Sequence, residues 1–210
     1  MTVCIVAIAG IFFSGCASKR KALEQELAQR DQTILELEGD NEELRTQLVE
    51  EDVVVAEGET VLQDSRDMLM VALQGTGAGV ETRGVNLVVS LPSVMLFGPG
   101  KYKLKKGAKG PLSKIARVIR DNFPTATIRV EGYTDNQPIK KLKDKFESNW
   151  ELSAARAASV LHYLVDKGHI EPQNIYLAGF GEYHPIDSNA TAAGRKKNRR
   201  VGIVVLTEGG

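Results

Sequence analysis

Cysteine is almost missing from this chain: two in 210 residues, Cys4 and Cys16, both within the first sixteen. The remainder therefore has no disulfide framework, no thiol nucleophile and no Cys-based metal site. A Cys-free domain suits an oxidising compartment. The three histidines, His162, His169 and His184, lack metal-ligand spacing, and no Ser sits beside a plausible base. Gly179-Phe180-Gly181 has no third glycine at dinucleotide spacing and reads as a turn. The pattern implies no enzyme, no cofactor and no metal. Aromatics make up 6% and do not interleave with the Lys and Arg, so nucleic acid is not an expected partner.

Long apolar runs are also scarce. One stands out, Val3 to Phe13, about 11 residues and too short to cross a hydrocarbon core of roughly 30 Å. It matches the apolar region of an export signal. Phe13-Ser14-Gly15-Cys16 resembles a bacterial lipobox, with Phe13 in the place of the usual Leu and no Lys or Arg ahead of the run. The resemblance implies a signal at 1–16, a lipidated Cys16, and a polar start at Ala17-Ser18-Lys19-Arg20. Ala17 after the Cys implies transfer to the outer membrane, facing the periplasm. More than one acyl chain is needed for firm anchoring. An ordinary cleaved signal or a truncated membrane helix, with Cys16 incidental, is the alternative.

Proline is absent between Lys21 and Asp64, where Glu, Gln, Leu and Ala dominate. Leu27, Ile34, Asn41, Leu48, Val55 and Leu62 recur every seven residues, with Leu23, Leu37 and Leu44 at the companion d positions. Arg30 and Glu51 interrupt that second row. Residues 17–74 read as a coiled-coil stalk. Ile and Val at a with Leu at d favour a parallel homodimer, and Asn41 fits a register-fixing pair. A single solvated helix or an intramolecular hairpin remains the other reading. Gly75-Thr76-Gly77-Ala78-Gly79 breaks the helix, so 75–83 is expected to be a hinge.

A formal net charge of zero conceals segregation. Residues 17–66 hold 6 basic and 14 acidic side chains, whereas residues 84–210 hold 20 basic and 11 acidic. The second excess favours an anionic partner.

The C-terminal part, 84–207, reads as an α+β domain. Strands are expected at 85–91, 127–132, 174–179 and 200–206, and helices at 111–122, 153–166 and 191–198. The order β-α-β-α-β-(α)-β suggests a small mixed sheet with helices on one face. Thr134-Asp135 leaves one strand, and Arg156 falls near the start of the second helix. An acid and a guanidinium facing each other would receive the two ends of a zwitterion.

Four motifs then carry a resemblance. They are Val130-Glu131-Gly132-Tyr133-Thr134-Asp135, Leu152-Ser153 through Arg156-Ala157, Gly179 to Ile186, and Gly194-Arg195 with Asn198-Arg199-Arg200-Val201. In order and spacing they resemble the OmpA-like peptidoglycan-binding domain. Asn136-Gln137-Pro138-Ile139 and Ser148-Asn149-Trp150-Glu151-Leu152 are similar to the longer variant in flagellar motor protein MotB. The resemblance implies non-covalent binding of the diaminopimelate of peptidoglycan. Asp135 would take its ammonium and Arg156 its carboxylate, with Thr134 and Asn149 lining the pocket. Arg199 would contact ligand or brace the cleft. The plain alternative is a structural ion pair between Asp135 and Arg156. The implied role is tethering of the outer membrane to the wall; a stator-type anchor or an adaptor for another periplasmic protein are the rivals. Lys140, Lys141, Lys143 and Lys145 form a basic loop suited to glycan-stem carboxylates.

Overall fold

A computed structural model describes residues 3–140 and 142–207, with side chains described from Ser18 onward. Cys16 and Lys141 therefore lie outside the residues whose side chains are described. The chain divides into two compact units, Met1–Ala56 and Glu57–Gly210.

Helix α1 is assigned over Val3–Ala72. Among the described residues no helix is long and apolar enough to cross a membrane. In the first unit the helix is laced by i,i+4 pairs, Arg20–Glu24 at 3.3 Å and Arg30–Glu26 at 2.8 Å. Such exposed pairs contribute about 0.3–0.5 kcal/mol each. In the second unit the end of α1 belongs to the domain. Leu62, Leu69 and Leu73 join its hydrophobic core, and Ser65 is fully buried. The residues read as stalk from Leu62 onward are thus domain residues.

The sheet has five strands in the order β1-β2-β5-β3-β4: β1 Gly79–Arg83, β2 Asn86–Pro92, β3 Thr127–Gly132, β4 Ile175–Gly179 and β5 Arg200–Leu206. Only the β3–β4 pair is parallel, which makes the sheet mixed, as the α+β reading expected. Alternation along the strands sends Leu87, Val89, Leu91, Ile128, Val130, Val201, Ile203 and Val205 to one side, all fully buried. Against them pack α3 (Lys109–Asn122) through Leu112, Ile115 and Ile119, and α4 (Asn149–Asp166) through Val160 and Leu164. Two shorter helices complete the domain, α2 (Ser93–Leu96) and α5 (Ala192–Asn198).

The expected hinge at 75–83 is half strand. Gly84, at φ 58°, turns the chain so that Gly79–Arg83 pairs with β2 as an antiparallel edge strand. The second difference concerns α4, which begins at Asn149 rather than Ser153. Ser148 caps it: its hydroxyl accepts from Trp150 N at 3.1 Å, and Glu151 Oε2 accepts from Ser148 N at 2.8 Å.

Candidate functional site

Register decides which charges meet. Strands β3 and β5 are antiparallel neighbours, with Gly132 opposite Val201. The residues leaving β3 must therefore meet those entering β5. Tyr133 N donates to Arg200 O at 3.0 Å. One step further on, Arg199 Nη1 donates to Asp135 Oδ2 in a close ion pair. Asp135 is 6% exposed, and its Oδ1 accepts from Gln137 N at 3.3 Å.

Helix α4 presses on this corner because two glycines allow it. A Cβ on Gly132 would lie 2.0 Å from Ser153 O, and one on Gly179 would lie 2.8 Å from Ala154 Cβ. Ser153 Oγ then accepts from Gly181 N at 3.0 Å, tying the turn after β4 to the helix. Thr134 N donates to Gly181 O at 2.8 Å and closes the same corner. Asn149 braces it from outside. Its Nδ2 donates to Asp135 O at 3.3 Å, Gln137 O at 3.2 Å and Glu182 Oε2 at 2.7 Å.

Arg156 is 8% exposed, with Nε donating to Lys101 O at 3.3 Å and the guanidinium 5.5 Å from the Phe97 ring centre. It makes no ion pair among the described residues. Burial pulls its pKa down, the charge of Asp135 opposes that, and Arg199 adds to it. A guanidinium so placed still stays charged at neutral pH. Because α4 starts at Asn149, Arg156 lies two turns inside the helix, not on its first turn. The helix dipole, which acts within the first turn, therefore gives no help to an anion at Arg156.

A cavity of about 280 Å³ opens beside these groups, lined by Ser93, Val94, Phe97, the Gly98–Gly100 turn, Arg156 and Arg199. Ser93 Oγ and Thr134 Oγ1 are buried and without hydrogen-bond partners among the described residues. Leaving such a group unpaired costs about 1–3 kcal/mol. The structure thus brings together Asp135, Arg199 and Thr134 at one strand exit, with Arg156 electrostatically coupled from α4. Asp135 pairs directly with Arg199 and not with Arg156. Asn149 spends its donors on the surrounding loop. Ser93 and the Phe97–Gly100 turn were not singled out from sequence. The Pro92-Ser93 strand end followed by Gly98-Pro99-Gly100 was the available signal, since a strand exit beside a tight turn is where backbone can line a cleft.

The count of charges is uneven here: two guanidiniums against one carboxylate. A larger groove of about 420 Å³ on the opposite sheet face offers a contrast, being lined by Glu81, Arg83, Glu131, Tyr133 and Arg200. Its carboxylates are already paired, Glu81 with Arg83 at 2.6 Å and Glu131 with Arg129 and Tyr133 at 2.7 Å each. Arg200 stacks 3.6 Å over Tyr133. Arg200 is also buried without an ion pair among the described residues, but Tyr133 covers its guanidinium and the carbonyls of Asn198 and His184 accept from it. Among the described residues no group of His, Cys, Asp or Glu could hold a metal ion.

Fold and site together define a class: a small mixed-sheet domain whose strand exits and second major helix converge charged groups on a head-group-sized cleft. A model of the OmpA family matches residues 96–199. The chain is 34% identical over 130 residues to the outer-membrane lipoprotein YfiB of Pseudomonas aeruginosa, covering 62% of this chain and 73% of that protein. It belongs to the OmpA family. It is 35% identical over 123 residues to motility protein B of Bacillus subtilis, covering 59% of this chain and 46% of that one. The chain thus spans about half the length of that relative. Among solved structures, the cell wall anchor of the T6SS from Pseudomonas aeruginosa superposes with a TM-score of 0.60 at 30% identity, covering 68% of this chain and 99% of that chain. None of these matches points to a catalytic family.

Proposed function

We propose that the domain grips peptidoglycan without cleaving it, through the zwitterionic end of diaminopimelate in the peptide stem. The observation that carries this reading is Arg156: a buried guanidinium that makes no ion pair among the described residues, facing a cavity of about 280 Å³. That volume is below the roughly 300–1,000 Å³ of drug-sized sites and suits a head group. The ligand carboxylate takes Arg156, and Ser93 Oγ is placed to donate to it. The ligand ammonium takes Asp135, sharing that carboxylate with Arg199. Thr134 supplies a further polar group, while Asn149 holds the loop that presents Asp135. No step needs a nucleophile or a cofactor.

Around the domain, Cys16 serves as the lipid attachment point, and residues 17–61 form the spacer between anchor and domain. The protein sits in the cell envelope, on the outer membrane facing the periplasm, and tethers that membrane to the wall. The lipoprotein among its relatives and the T6SS wall anchor among its structural neighbours support this placement. The similarity to motility protein B favours one second reading, in which the same wall grip anchors a motility or secretion machine.

Isothermal titration of the full chain with a diaminopimelate-containing muropeptide tests the site. Binding is expected, and Arg156→Ala or Asp135→Ala should abolish it. Affinity unchanged from the parent in both variants would remove the assignment. Mass spectrometry of the mature N-terminus tests the anchor, since lipidation adds acyl mass at Cys16. An unmodified Cys16 in purified membranes would defeat it.

A further inference from the structure

The heptad seam of α1 does not end with the stalk. Leu27, Ile34, Asn41, Leu48, Val55, Leu62 and Leu69 continue one row at seven-residue spacing, and Leu23, Leu37, Leu44 and Ser65 share the companion row. Burial along those rows changes abruptly. Leu23, Leu27, Ile34, Leu37, Leu44, Leu48 and Val55 are all more than half exposed, from 51% at Ile34 to 60% at Leu48. Beyond them Leu62 is 7% exposed, and Ser65 and Leu69 are 0%.

The cover over the later positions is α3. Asn122 Nδ2 donates to Ser65 Oγ at 2.8 Å, and Lys114 Nζ donates to Ala72 O at 2.8 Å. As one helix advances from 114 to 122 the other retreats from 72 to 65, so the two run antiparallel. Within the second unit α3 occupies the side of α1 that a partner helix takes in a coiled coil. From Leu23 to Val55 the same two rows have no such cover.

We infer that residues 23–55 pair with the same segment of a second copy in a parallel, in-register coil, and that the coil stops at Gly58. There the seam passes to α3 of each chain's own domain. A segment of that length is about 50 Å long at 1.5 Å per residue. Seven large apolar side chains on one stripe exceed what a solvated helix needs.

Charge and polarity select the second copy and its direction. In parallel pairing Asn41 meets Asn41, the arrangement that fixes register. Asp40 at a g position meets Arg45 of the second copy at e. Arg30, already bonded to Glu26 at 2.8 Å, is flanked by Glu26 and Asp31 of both copies. Antiparallel pairing about the same centre would instead place Leu27 against Glu51 and Leu48 against Arg30. Two layers of the parallel coil carry like charges, Arg30 against Arg30 among its acidic neighbours and Glu51 against Glu51, the latter one heptad short of Gly58. Gly58 stands in the d row and has nothing within 4 Å of an added Cβ. The second helix cannot follow the seam past this point, because α3 holds it.

Both domains thus leave the same end of one coil. The coil does not depend on what the domain binds; its consequence, if the wall reading holds, is two grips per anchor and a gain from effective concentration.

The test uses the full chain carrying Cys4→Ser and Cys16→Ser, with one cysteine introduced at a d position and mild copper oxidation. Leu37→Cys and Leu44→Cys should cross-link to their twins at least tenfold more than Ser65→Cys. Disulfides need Cα separations near 4.4–6.8 Å, so the readout is proximity. Ser65→Cys changes one atom and leaves the fold intact, which thermal unfolding of each variant checks. Sedimentation should give a dimer, and a mixture of Leu23→Cys with Val55→Cys chains should give only twin products and no 23-to-55 cross-link. A monomer, a mixed 23–55 cross-link, or equal cross-linking at 44 and 65 would overturn the proposal. None of these readouts involves muropeptide, so their failure is separate from failure of the binding site.

Discussion

Replacing Arg156 by Met keeps the unbranched stem out to the Nε position and removes the charged head, and it separates a binding role from a structural one. In the free protein Arg156 has one long hydrogen bond, to Lys101 O at 3.3 Å, and a ring contact at 5.5 Å from the Phe97 centre. The ring contact, desolvated but near the limit of roughly 6 Å, is worth about 0.5–2 kcal/mol, and one hydrogen bond to a charged group adds at most about 1.5–3 kcal/mol. Against these stands desolvation of the guanidinium, which pulls its pKa down, while attraction to Asp135 and repulsion from Arg199 oppose each other. Exchanging a buried charge for an apolar side chain of similar volume is commonly neutral or stabilising. The net change in stability is therefore expected within about 1 kcal/mol, a shift of roughly 2–4 °C in Tm for a domain of this size. Affinity for muropeptide should fall far more, since truncating one partner of a buried charge pair costs about 2–5 kcal/mol. That is a loss of about 30-fold or greater in a titration. Circular dichroism melts and calorimetric titrations on one preparation supply both numbers. A variant that loses more than about 3 kcal/mol of stability, or that binds as well as the parent, would refute the reasoning.

Asp135→Asn should behave in the opposite sense. It leaves Arg199 and Arg156 without their one carboxylate, and urea unfolding should show a loss of about 1–3 kcal/mol, reduced by the 38% exposure of Arg199. Gly132→Ala places a methyl 2.0 Å from the backbone oxygen of Ser153, which no side-chain rotation can relieve, so a loss of about 3 kcal/mol or failure to fold is expected. A stable variant with unchanged binding would show that α4 can move away. Leu69→Ala removes a fully buried side chain of α1 and should cost about 2–5 kcal/mol by urea unfolding. A neutral result would return that segment to the stalk. The Ser148 hydroxyl holds the Glu151 carboxyl below its ordinary value. A depressed carboxyl pKa contributes stability above the unfolded value and loses it as pH falls through the folded one. In Ser148→Ala the Glu151 titration followed by NMR should move up toward the usual carboxylate range, and an unmoved curve would exclude the capping role.

Much of the domain was legible before any coordinates. Alternation in Thr127–Gly132 and Arg200–Leu206 marked strands that the structure has at the same residues. The helix expected at 111–122 is α3, which begins two residues earlier at Lys109 and ends at the same Asn122. Ser148 and Glu151 carried a capping box, and reading it would have begun α4 at Asn149. The polar strand β1 was hidden because an edge strand has one neighbour and little buried surface to reveal a period.

The sequence alone determined most of the elements, the family and the identity of the charged residues, because periodicity and caps act over a few residues of one chain. Which charges meet was decided in three dimensions. Antiparallel register places Arg199 on Asp135, and two glycines let α4 bring Arg156 close without a carboxylate of its own. Leu62 and Leu69 carry the same heptad signal as Leu48, and only the packing of α3 against them separates domain from stalk. Local pattern fixes which face of a helix is apolar; what covers that face is a property of the folded molecule.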